Sequence, residues 1–139
     1  MKANGWEFAS HTWGHIAVAD VDYEHLAKDT QRWHDNVENI VGDTDMIIFA
    51  FGSDIGTWEG YSQDNEKFRL LKDAGFDYFC NVDGSTLSWV QFGSNYLRTG
   101  RMNIDGYRMA SNPEILAPLF DVEQVYDYTN RPAMSEWGQ

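Results

Sequence analysis

Two histidines four residues apart, His11 and His15, are the side chains in this sequence best suited to hold a divalent metal ion. Neutral imidazole is the commonest side-chain ligand for such ions, and two at this spacing reach one ion if the backbone turns after Ser10. The same spacing also occurs on ordinary surface turns, where imidazoles do no more than hydrogen-bond, so the pair alone leaves both readings open. His25 and His34 fall on a helical stretch with no suitable partner spaced near them, and read as surface or packing residues. The single cysteine, Cys80, excludes an intramolecular disulfide and a cysteine-based zinc site. It sits in the apolar run 76–82 and reads as a buried, inert thiol. No phosphate-binding glycine loop and no Ser-His-Asp order is present.

The histidines need a scaffold, and the apolar patterning supplies one. Residues 6–10 form an extended run that leads into His11. Gly5, Gly42 and Gly75 each stand where a helix would stop and the next strand begin, because glycine adopts the left-handed conformation that ends helices. From Asp22, read as the N-cap, the positions Leu26, Trp33, Val37 and Ile40 recur at helical spacing up to about Val41, with Glu24 well placed for the helix dipole. Residues 46–51 are continuously apolar, as in a parallel strand buried on both faces. A small-residue loop follows over 52–56. Ser62 then caps a helix with Phe68, Leu71 and Ala74 inside, and residues 76–82 form the next strand. Alternation of this kind implies parallel pairing with right-handed crossovers, which gathers the loops after the strands on one edge with His11, His15, Asp54 and Asp83. Further on, a hairpin is expected from 88–92 and 95–98 around Gly93-Ser94, a short strand over 101–106 and a helix from Pro113 to Phe120. The tail through Trp137 lacks periodicity and is expected to fray.

The chain of 139 residues, 42% hydrophobic, fits one domain with its own core. No apolar run approaches the roughly 20 residues that cross a bilayer, so membrane insertion is not expected. The net charge of -12, spread along the chain, disfavours nucleic acid, which needs a basic footprint. Six tryptophans offer apolar faces on which sugar rings stack, although most aromatic side chains in any domain fill its core.

The segment His11-Thr12-Trp13-Gly14-His15 resembles the His-Ser/Thr-x-x-His motif of the polysaccharide deacetylase family, carbohydrate esterase family four, and residues 5–10 resemble the strand that precedes it. The resemblance implies an α/β fold, a partial (β/α) barrel of the polysaccharide deacetylase type. It implies an acetylated polysaccharide or oligosaccharide as partner and removal of its acetyl groups as the reaction, in the extracellular space or cell envelope. It also implies a divalent metal, zinc foremost, held by His11 and His15, with Thr12 supporting the loop. Trp13, Phe51 and Gly52 correspond to substrate-groove positions, and Arg101 and Asp105 to the late Arg and Asp that orient the catalytic base. An ordinary Arg-Asp surface pair accounts for those last two equally well.

The sequence also departs from the family pattern. It has no Asp-Asp pair to supply the third ligand and the base, and no Leu-x-His after His34 to supply the acid; Phe49-Ala50-Phe51-Gly52 lacks the usual proline. The reading is therefore a C-terminal portion, residues 1–139, of such a domain, lacking its first strand, with self-association expected through the exposed sheet edge. The rival reading is a non-catalytic carbohydrate-binding or structural remnant, in which Trp13, Trp58 and Trp89 contact sugars.

Overall fold

The computed structural model describes residues 1–56, 59–82, 88–125, 127 and 130. Asp83, Trp58 and the tail with Trp137 lie outside the described residues. Each crossover is built from a helix whose start and stop are specified by side chains. Asp22 caps α1 (Tyr23–Trp33), its carboxylate accepting the His25 N–H at 2.8 Å. The helix then widens into a π turn (His34–Glu38) and closes as α2 (Asn39–Val41) before Gly42, φ 80°. A π turn inserts an extra residue into the helical repeat and rotates everything beyond it. Val37 and Val41 consequently pack against the core, while Ile40, expected inside, is 83% exposed.

Strand β1 (Met46–Ile48) is shorter than the apolar run predicts. Phe49 still donates its N–H to the Cys80 carbonyl at 2.9 Å, but Ala50–Gly52 coil into a 3-10 turn with Phe51 at φ 58°. Helix α3 (Glu66–Asp73) is capped by Asn65, whose side chain accepts the Phe68 N–H, and not by Ser62, which closes the turn just before it. The helix ends in a Schellman arrangement: Phe76 N–H donates to Leu71 O and Gly75 N–H to Lys72 O, with Gly75 at φ 97°.

Strand β2 (Tyr78–Val82) follows, then the hairpin of β3 (Trp89–Phe92) and β4 (Leu97–Arg101), closed by Gly93 N–H donating to Tyr96 O. The sheet order is β1-β2-β4-β3, parallel except for β3. Of the strand expected over 6–10, Ser10 alone pairs, in a parallel bridge to Ile47. Arg101 ends β4 instead of starting a strand. Asp105 caps α4 (Gly106–Ser111), and the helix begun by Pro113 stops at Leu116 as α5, with α6 (Val122–Val125) beyond.

The core lies between one sheet face and the two long helices: Ile47, Phe49 and Phe79 from the sheet, Leu26 and Trp33 from α1, Phe68 and Leu71 from α3. Leu116 and Val122 form a separate small cluster with Met102 and Met109. Among the described residues the sheet is open, with four strands, and does not close into a barrel.

Candidate metal centre

The parallel register places the carboxyl ends of the Ser10 segment, β1, β2 and β4 along one edge, and the residues of interest follow those ends. The chain leaves the sheet at Ser10, which donates its N–H to Met46 O at 2.9 Å and accepts the Ile48 N–H at 2.7 Å. His11 turns back so that its Nδ1 donates to the Ile48 carbonyl at 2.6 Å. A carbonyl only accepts, so the proton resides on Nδ1 and a neutral ring keeps its lone pair on Nε2. That is how histidine ligands are commonly oriented for a metal. The His15 ring lies edge-on, 4.9 Å from that of His11 between centroids, and the Phe51 ring lies 4.5 Å from His15. Both histidines are exposed.

Backbone strain concentrates here. Among the described residues, the non-glycine residues with positive φ are Thr12 (62°), His15 (51°) and Phe51 (58°), all in these two touching loops. Such conformations cost roughly 1–3 kcal/mol each and cluster at functional sites. Side chains hold them in place. Thr12 Oγ1 accepts the Ile16 N–H at 3.0 Å, and Ser10 Oγ accepts the Thr12 N–H at 3.3 Å. Asp29, buried on α1, accepts the Trp13 and Gly14 N–H groups at 2.9 and 2.7 Å. A Cβ at Gly14 would lie 2.9 Å from Asp29 Oδ2, so this clamp needs glycine.

Asp54 reaches the same edge but turns inward. Its Oδ2 takes Arg98 Nε at 2.8 Å, Arg98 Nη2 at 2.5 Å and Asn81 Nδ2 at 3.2 Å; its Oδ1 takes the Tyr61 hydroxyl and the Gly56 N–H. Both oxygens are occupied, and Asp54 cannot serve as a spare ligand. Burial, then the Asp54 charge, pushes the Tyr61 hydroxyl far above its ordinary range, which keeps it a donor. A Cβ at Gly52, φ 67°, would lie 3.0 Å from the Val82 carbonyl oxygen. Trp13 is 48% exposed and Phe51 73%. Trp89 is half-buried and lies over Arg98, 5.2 Å from its guanidinium carbon.

Arg101 closes the row opposite Val82. Its Nε is buried and has no hydrogen-bond partner among the described residues, and Nη1 reaches Asn103 at 3.4 Å. Asp105 stands apart, exposed, its Oδ1 accepting the Arg108 N–H at 2.8 Å. Cys80 is buried; its burial raises the thiol pKa, opposed in part by the Arg101 charge. No group of three or more His, Cys, Asp or Glu side chains able to hold a metal occurs among the described residues.

Asp29 and the Asp54–Arg98–Tyr61 network escaped the sequence reading. The signal for Asp29 was there: with Leu26, Thr30 and Trp33 it occupies the buried stripe of α1, an unusual place for an acid.

An α/β domain with a parallel-rich sheet and a strained two-histidine loop at the strand ends is the class these observations define. The description of the polysaccharide deacetylase family matches residues 1–79, more than half of the chain, and the chain belongs to that family. No curated protein and no solved structure matched it.

Proposed function

We propose that this chain carries the two-histidine part of a metal-dependent carbohydrate deacetylase centre, which removes acetyl groups from an acetylated polysaccharide or oligosaccharide. The hydrogen bond from His11 Nδ1 to the Ile48 carbonyl carries the reading, because it leaves Nε2 available beside His15. The donor set fits a divalent ion such as zinc as two imidazole ligands. When bound, such an ion lowers the pKa of a coordinated water and polarises the acetyl carbonyl.

The chain's own residues orient the site. Asp29 and Thr12 hold the histidine loop, and Phe51 packs on His15. Trp13, Phe51 and Gly52 contribute to the groove for sugar. Arg101 presents an Nε, unpartnered among the described residues, that suits a carboxylate, and Asp105, by capping α4, fixes the segment that follows it. Among the described residues no carboxylate joins the two histidines as a third ligand or base, and the sheet that carries them is open.

The test is acetate release from acetylated chitooligosaccharide and acetylated xylan. The 139-residue chain alone should release none, since each absent acid-base role is worth roughly 10²–10⁴ in rate. Fusing an Asp-Asp strand from an active family member ahead of Met1 should give metal-dependent release that His15→Ala abolishes. A fusion that binds metal yet releases no acetate would favour a non-catalytic carbohydrate-binding role, for which exposed Trp13 is the supporting observation.

A further inference from the structure

On the α1 side of the histidine loop lies a separate pocket of about 490 Å³, its lining including Trp13 and Gly14 from the loop and His25, Lys28 and Arg32 from α1. Its size falls within the range of about 300–1,000 Å³ typical of small-ligand sites. The three basic positions are spaced i, i+3 and i+7, which puts them on one face of α1. The Arg32 guanidinium lies 5.1 Å from the centre of the Trp13 ring. Among the described residues, neither Lys28 nor Arg32 pairs with a carboxylate. That is notable in a chain with 22 acidic and 10 basic residues.

Acids also line the pocket, but two are already engaged. Asp29 spends both oxygens on backbone N–H groups, and Asp22 accepts the His25 N–H. Glu24 remains, one turn before Lys28 and exposed.

We propose that this pocket is a subsite for a sugar residue bearing a negatively charged substituent, a uronate being the simplest case. The sugar lies against Trp13, and its carboxylate is taken by Arg32 and Lys28. The proposal rests on the carbohydrate reading above and names the substrate class of that site as an acidic polysaccharide. Arginine suits the role because its planar fork pairs with carboxylates while stacking on an aromatic ring. Tethering an acidic residue here would hold the neighbouring residue of the polymer near His11 and His15.

Calorimetry with a uronic-acid tetrasaccharide, its carboxyl-reduced neutral counterpart and inorganic sulfate tests the proposal without metal or acetate release. The charged tetramer should bind about fivefold tighter than the neutral one at low salt, the upper end for exposed charge pairs, and the preference should shrink as salt is added. Lys28→Gln with Arg32→Gln, both on the exposed helix face, should bring the charged and neutral tetramers to equal affinity. Trp13→Ala should weaken both sugars. Equal binding of the two tetramers, or a preference that survives the double substitution, would overturn the subsite. Sulfate displacing the tetramer at equal charge concentration would overturn the sugar as ligand class. A fusion that releases no acetate while the uronate preference holds would remove the deacetylase reading and leave the subsite standing.

Discussion

The Ile48 carbonyl decides which nitrogen of His11 faces outward, and the Phe51 ring decides where His15 can go. One constraint comes from the last residue of β1 and the other from the turn that follows it, so the histidine loop and the residue 48–52 stretch form one unit. Phe51 adopts φ 58° while 73% exposed, and it therefore accepts backbone strain for little burial in return. Phe51→Gly relieves that strain at the cost of unfolded-state entropy. It should leave stability to urea unchanged or higher by up to about 1 kcal/mol, while weakening zinc binding several-fold through His15. A loss of stability greater than that, with zinc binding intact, would show that Phe51 serves folding and not the site. The histidine pair was legible in the sequence because its chemistry is local. The partners of Asp29 were not: its place on the buried stripe of α1 marks it out, but it acts on Trp13 and Gly14 across 15 or more residues, and spacing alone does not reveal which backbone an acid will meet.

Elements were legible where one periodicity held and were lost where it broke. The hairpin, the α1 cap at Asp22 and the glycine stop at Gly75 follow directly from residue type. Ile40 misled because the π turn changes the repeat after Trp33. Its traces are Asn36 and Asn39, whose side-chain amides donate to the Arg32 and Asp35 carbonyls at 2.8 and 2.7 Å. A charge scan would check the turn: Ile40→Lys should change stability by no more than about 0.5 kcal/mol, as for surface sites. Val41→Lys, placed against the core, should cost well over 1 kcal/mol. The reverse order would mean that a regular α-helix continues to Val41. Arg101 and Asp105 were misplaced for a related reason: an extended run continues β4 to Arg101, but Asp105 is a helix cap, and caps and strand ends draw on the same residue types.

At the scale of the molecule, the sheet has two unpaired sides among the described residues. The Ser10 segment pairs with β1 alone, and β3 forms the far edge with Val90 and Phe92 exposed. Exposed apolar edges of this kind template association between copies, while a net charge of -12 opposes it. Sedimentation velocity should therefore reveal association that grows with protein concentration and with added salt, and that Phe92→Lys reduces. A compact monomer under all those conditions would mean that the edges are protected. Parallel order and the shared edge were legible from the strand-helix alternation. Closure was not, because it depends on pairing partners that no local pattern in these residues specifies. The central property of the whole folded chain is its ability to bring two imidazoles to one ion. Zinc calorimetry tests this directly. Weak binding with one ion per chain is expected, lost in His11→Ala and in His15→Ala, because two imidazoles leave the remaining ligand places to water. Equal binding by both variants would contradict it.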